Sequence, residues 1–348
     1  MLYVTTRGTQ DAFTAHRAIR QDRGPDGGFF VPMRMPVKTK AELLTLHKNT
    51  FGQNTADILN LFFGTKFTGW DVDVTIGRRV FTTKSIGLRT VMGRLCQDAH
   101  GCLDGVLRSL AERIVPELPQ NEPIPNWLEI GIRVAILFGV CGELLATGQI
   151  TLEKGMDVAV CTGSFAMPMA LWYGRQMGLP IRRIICGCND NGAVWDLLNR
   201  GVINTDALAM QTSTPKADFA VPPNLERLLH GALGSEEALH YWWSYTEGES
   251  YNVSELKLDT LKEGLFAAVV SKERVASTIA SVYRTNQYIL DPYGALAYGA
   301  LSDYRASSGS VGMTLVLTEE SPACSIALVS GCIRVSEDEI RHMLSREL

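Results

Sequence analysis

Residues 157–188, DVAVCTGSFAMPMALWYGRQMGLPIRRIICGC, constrain the fold more than any other part of the chain. Asp157–Cys161 is a short apolar run of strand length. The small residues Thr162, Gly163 and Ser164 make a turn, and 165–177 continue at helical spacing. RRIICGC then reads as a second strand. Strand, helix and strand at this spacing form a parallel crossover, so the chain carries an α/β core with a parallel sheet.

The turn CTGSF lies where a strand hands over to a helix, an arrangement that aims backbone N–H groups and the positive helix end at an anion. The alternative is a plain turn with Gly163 for shape and Ser164 as the helix N-cap. On this feature alone the plain turn is the better reading. CGCNDNG, residues 186–192, ends the second strand at its carboxyl edge, where open parallel sheets bind ligands. Asn189, Asp190 and Asn191 either line such a cleft or form a turn in which Asp190 or Asn191 caps the next helix.

Elsewhere the pattern alternates between elements and turns. LYVTT reads as a strand, AFTAHRAIRQ as a helix, GPDGGFFVP as a turn and 40–63 as helical. DVDVTIGRRVFTT alternates like two short strands around Gly77. LDGVLRSLAERIV is amphipathic, with Leu103, Val106, Leu107, Leu110 and Ile114 on one face. PELPQNEPIPN is Pro-rich and polar, and is taken as the boundary between an N-terminal region, 1–120, and a large α/β domain, 121–348. Past it come a buried helix at 127–147, helices at AVWDLLNRG, NLERLLHGAL, SKERVASTIASVYRTN and DPYGALAYGALSDYR, a strand at GMTLVLT, and a terminal helix capped by Ser336. ALHYWWSYTEGES reads as a polar-aromatic surface or loop. Its YWWSY run packs under a local loop or, alternatively, joins two copies in a homodimer.

Composition narrows the partners. The net charge is −4 and there is no Lys/Arg run, which argues against nucleic acid and anionic membranes. VAILFGVCGELLATG is too short to span a bilayer. The eight Cys form no C-x-x-C pair and the first residues are no secretory signal, so a reducing cytoplasm is expected. Histidines at 16, 47, 100, 230, 240 and 342 lack metal-binding spacing, and no metal site is expected. Of the ten lysines only Lys66 and Lys84 fall between positions 49 and 153.

Four ordered blocks resemble the threonine synthases, pyridoxal-phosphate enzymes of fold type II. YVTTRG with GPDGGFFVP is similar to Y-x-S-T-R-G followed by P-D-G-G-L-Y-V-P. VCTGSFAMPMALWYGRQMGLPIRRIICGCNDN resembles P-T-G-N-F-G-x-x-x-A-G-x-x-A-x-x-M-G-L-P-I with its following A-T-N-E-N-D. TPKADFAVPPNLERLL is similar to S-P-A-M-D-I-x-V-P-S-N-F-E-R-L-L, and YILDPYGALAYGAL to D-P-H-T-A-x-x-x-x-A. The resemblance implies a tryptophan-synthase-beta-like parallel sheet core with a reduced small domain. It implies pyridoxal phosphate in the cleft and conversion of O-phosphohomoserine to threonine. By position, Thr162, Gly163, Ser164 and Phe165 would cradle the cofactor phosphate and Asn189 would sit at the cleft edge. Asp218 and Asn224 would support its wall. Thr318, in TEESPACS, would hold the pyridine ring, and Glu319 and Glu320 are new beside it.

The family's lysine motif, H-G-P-T-x-A-F-K-D, is not found, nor is its S-G-D-T-G substrate loop. Lys84 is the candidate catalytic lysine, Lys66 its alternate. G-N-F-G has become GSFA, and a Cβ at Ala166 would crowd a phosphate or forbid a positive φ. Two functional readings follow: a divergent threonine-synthase-like lyase, or a non-catalytic relative that binds an amino acid, a phosphorylated metabolite or a protein partner in the vestigial cleft. The residues favour the second.

Overall fold

A computed structural model describes residues 1–8, 11–77, 80–87, 89–96 and 101–346. The chain opens with a three-stranded antiparallel sheet of β1 (Leu2–Thr5), β2 (Phe13–Thr14) and β3 (Phe30–Pro32), ordered β2-β1-β3. The central sheet comprises β4 (Phe81–Ser85), β5 (Thr90–Leu95), β6 (Met156–Cys161) and β7 (Ile181–Cys188). After a two-stranded ribbon of β8 (Val202–Ile203) and β9 (Tyr251–Asn252), it is completed by β10 (Leu265–Val269) and β11 (Thr314–Thr318). Its order is β10-β7-β6-β11-β5-β4, parallel throughout except for β4, which runs antiparallel to β5.

Because side chains alternate across a strand, the sheet feeds two cores. Val158, Val160, Ile184, Cys186, Leu315 and Leu317 enter one of them. Ala159, Ile185, Met92 and Val316 enter the other. The first core surrounds helix Asn126–Ala146, which is apolar nearly all round and buried along most of its length. Gly139 and Gly142 let it approach Phe51 and Asn54, where a Cβ would come within 2.9 and 2.2 Å of those side chains. The second core lies under helices Lys272–Asn286 and Pro292–Ser308. Gly187 of β7 is pressed against the carbonyl of Leu296, 2.3 Å from where a Cβ would stand.

Several local expectations need correction. DVDVTI is not strand but helix Gly69–Ile76, because Thr68 and Asp71 form a capping box and only Val72 and Ile76, one turn apart, are buried. Arg78 and Arg79 of that segment lie outside the described residues, as does His100. The span 40–63 breaks into Lys40–Thr45 and Phe51–Phe63, the second started by a Thr50–Gln53 capping box. AFTAHRAIRQ yields only the short helix Ala15–Ala18. The region around YWWSY is helix Ser235–Glu247, closed by Gly248 at φ 69°. There Tyr241 packs on Tyr251, and Trp242 stacks on Tyr245 with Arg7 over its ring. Strands β5 and β10 were not expected as strands at all. No helix among the described residues is long and apolar enough to cross a membrane.

Candidate functional site

The site grows from the carboxyl ends of β6 and β11, neighbours in the sheet. After Cys161 the chain turns sharply: the Thr162 N–H donates to the carbonyl of Gly187 at 3.0 Å, and the Phe165 N–H to the carbonyl of Thr162 at 2.8 Å. Two residues take the left-handed region, Gly163 at φ 48° and Phe165 at φ 65°. A left-handed phenylalanine is costly, and here its ring is fully buried, so the core holds the loop in shape. Asn224 braces it from behind, its side-chain amide donating to the Ser164 carbonyl at 3.1 Å and its own N–H to the same oxygen at 3.3 Å.

Helix Ala166–Gln176 starts at once, so its first N–H groups have no acceptor within the helix and face the cleft end. Pro168 falls in the first turn, where its missing N–H costs nothing. Phe165 rather than Ser164 occupies the N-cap position, and no side chain caps the helix. Ala166 is an ordinary helical residue. The positive φ at this loop is carried by Gly163 and Phe165, so alanine fits where the family block has glycine. The loop keeps the donors and the helix polarity of an anion cradle.

In front of the loop is a cleft of about 210 Å³, lined by Thr162, Gly163, Ser164, Ala166 and Thr318 together with a set of charged side chains. Arg133, buried in helix Asn126–Ala146, bonds Glu319 at 2.6 Å and Glu129 at 3.0 Å. Burial alone would lower its pKa, but the two carboxylates outweigh burial and raise it. Lys216 bonds Asp104 at 2.7 Å and, more closely still, Glu320. Burial pulls its ammonium toward neutrality, and the bonds to Asp104 and Glu320 overcome that and hold it charged. Tyr293 closes one side, its hydroxyl accepting from the Lys216 N–H at 3.3 Å, with burial pushing its pKa up to about 12. Behind it Asp291 caps helix Pro292–Ser308 through the N–H groups of Tyr293 and Gly294. Burial lifts its carboxyl to about 6 against the pull of the Gly294 N–H. Burial also raises the Cys161 thiol, so that sulfur is no nucleophile at neutral pH.

The structure brings together part of what the sequence suggested. Thr162, Gly163, Ser164 and Thr318 line the cleft, with the Thr318 hydroxyl 3.5 Å from the Gly93 carbonyl. Phe165 lies beneath the loop rather than in the cleft. Asn189 stands behind it, its amide donating to Thr212, Thr214 and Asp218 at 3.0, 3.0 and 2.7 Å. Its oxygen accepts from the Asn191 N–H. Asn189 therefore braces the strap carrying Lys216, and neither Asp190 nor Asn191 caps helix Ala193–Arg200, whose N-cap is Gly192. Lys84 sits on the edge strand β4, donates to the Gln287 carbonyl at 3.0 Å, and lines a separate hollow with Arg94 and Tyr288. Lys66 is exposed beyond helix Phe51–Phe63. Neither reaches the cleft. The lysine that does, Lys216, occupies the alanine position of the S-P-A-M-D block, a substitution visible in the sequence but not drawn on. Asp104, Glu129 and Arg133 were also missed.

The family model "Threonine synthase N terminus" matches residues 2–78. "Threonine synthase-like 1" of Macaca fascicularis is 28% identical over 176 residues, 49% of this chain and 24% of that protein. Threonine synthase of Pseudomonas aeruginosa is 28% identical over 193 residues, 55% of this chain and 40% of that protein. The sequence match thus spans about half of this chain and less than half of either relative. Among solved structures, PLP-bound threonine synthase from Brucella melitensis superposes with a TM-score of 0.80 at 18% identity, covering 99% of this chain and 100% of that one. Yeast threonine synthase also gives 0.80, at 17% identity, covering 99% and 94%. The chain has the parallel-rich α/β fold of these fold type II enzymes, and it is a relative of the threonine synthase family.

Proposed function

We propose that this chain is a non-catalytic threonine synthase relative that holds a small phosphomonoester in the cleft lined by Thr162, Gly163 and Ser164. The observation that carries the reading is the state of Lys216. Pyridoxal phosphate suits one end of the site and not the other. Its phosphate fits the loop, where N–H donors and the helix end converge. Its aldehyde needs a lysine able to shed a proton, and the one lysine lining the cleft among the described residues is paired with two carboxylates. The lyase chemistry of the family is therefore not assigned to this chain.

A second reading has one observation in its favour. Lys216 has arrived in the cleft although the family's lysine motif is absent, so a lyase with a relocated amine is the competing account. Cytoplasmic residence is proposed on the eight free thiols, several of them buried. The binding reading is tested by thermal stabilisation with phosphate esters, which ligand binding raises with concentration. Stabilisation by a phosphomonoester, lost in G163V, supports it. β-Branched valine at a left-handed position deforms the loop. No stabilisation by any phosphomonoester overturns it.

A further inference from the structure

The charges around the cleft say more about the ligand, given the binding reading above. Arg133 is shared by Glu129 and Glu319, and Lys216 by Asp104 and Glu320. Among the described residues, each cation of the lining therefore faces two carboxylates. Both cations are spoken for, and the wall carries more negative than positive charge. Glu320 is only 8% exposed and Glu319 31%, so solvent screens this surplus incompletely.

The floor asks for the opposite charge. The loop from Thr162 presents N–H donors and a helix N-terminus, which favour an anion. A bare phosphate satisfies the floor and is repelled by the wall. An ester that carries phosphate at one end and a protonated amine at the other satisfies both within one small cavity of about 210 Å³. An aldehyde brings the carboxylates nothing, and Lys216, held by Asp104 and Glu320, is not offered to it as a free amine.

We propose that the cleft takes the amine form of the vitamin phosphate, pyridoxamine phosphate, in preference to the aldehyde form, and holds it without a covalent bond. In this chain the carboxylate wall replaces the lysine as the feature that selects the ligand's business end. Glu319 is the residue named for that selection, since it faces the cleft and its removal leaves the Lys216 pairs in place.

Three ligands separate the possibilities, because pyridoxamine, pyridoxine and pyridoxal phosphates share ring and phosphate and differ in one substituent. Calorimetric titration of the full chain is expected to rank the amine at least about tenfold tighter than the alcohol, as a single incompletely screened charge pair predicts. The ratio should shrink in E319Q, and being a ratio measured on one preparation it is insensitive to any loss of folded protein. Equal affinities, a tightest-binding aldehyde, or an unchanged ratio in E319Q overturns this proposal while leaving phosphate binding intact. Failure of all three ligands to bind also overturns this proposal, whereas the binding reading itself falls only where no phosphomonoester stabilises the chain.

Discussion

The Lys216 ammonium lies 2.7 Å from the Asp104 carboxylate and also bonds Glu320, so one side chain ties the start of helix Leu103–Ile114 to the segment that follows β11. The Leu103 N–H reinforces the tie by donating to the Glu319 carbonyl at 2.7 Å. Lys216 is half-exposed, so access does not protect it from reagents, whereas its charge does. Amine-directed acylation near pH 8 is therefore predicted to modify Lys216 at least several-fold more slowly than exposed lysines such as Lys66. In D104N/E320Q the rate at Lys216 should rise to match theirs. Peptide-resolved labelling checks this, and equal rates in the unmodified sequence would show that the pairing does not hold the proton.

Arg133 is the buried partner of Glu129 and Glu319. R133M leaves two carboxylates in the cleft wall with no cation, and truncating one member of a buried ion pair typically costs about 3–5 kcal/mol. The half-buried positions of Glu129 and Glu319 place the expected loss at or below the lower end of that range. R133M/E319Q should recover part of it. Chemical denaturation of the three proteins measures both effects.

Asp291 links stability to pH. Its carboxyl is raised to about 6 in the folded protein by burial, so the folded state binds the proton more tightly than the unfolded chain does. The sign follows: the contribution of that proton to stability is complete below the unfolded pKa and is lost as pH rises through about 6. D291N keeps the oxygen that accepts from Tyr293 and Gly294 and carries no charge. It is predicted to be more stable than the unmodified protein near pH 8, by up to about 3 kcal/mol. The gap should close as pH falls toward 4, below about 6. A gap independent of pH would remove Asp291 from this account.

Gly187 marks where β7 meets helix Pro292–Ser308. A Cβ there would stand 2.3 Å from the Leu296 carbonyl oxygen, a contact that backbone cannot relieve by rotating a side chain. G187A is predicted to destabilise by about 2 kcal/mol or more, beyond the intrinsic effect of exchanging glycine for alanine in a strand. By contrast G309A, where open space surrounds the position, should cost only the strain of its positive φ. Midpoints in denaturant measure both costs, and a G187A as mild as G309A would contradict the close contact with Leu296.

How much of this was legible in the sequence depends on how local the signal is. The crossover from Met156 to Cys188 was readable because a buried strand, a tight turn and a helix follow one another without interruption. β5, TVMGRL, gave no period-two pattern because all six of its residues are buried. DVDVTI gave a false one, since its alternation competes with the Thr68–Asp71 capping box that decides for helix. The strand end alone left Thr162–Ser164 reading better as a plain turn, and only the family resemblance put them in the cleft. The charged wall was not legible, because Asp104, Arg133, Lys216 and Glu320 arrive from four separate segments and only folding makes them neighbours. Asn189 looked like a cleft residue for its place after β7, yet its amide is spent on Thr212, Thr214 and Asp218.

The central claim is that the cleft keeps the phosphate cradle of a threonine synthase and lacks a lysine free to condense with an aldehyde. Incubation of the purified chain with pyridoxal phosphate, borohydride reduction, and mass-resolved mapping of every lysine tests it most directly. The account predicts no label at Lys216 above the level found on exposed lysines. A pyridoxyl group fixed stoichiometrically on Lys216, abolished in K216A, would contradict it.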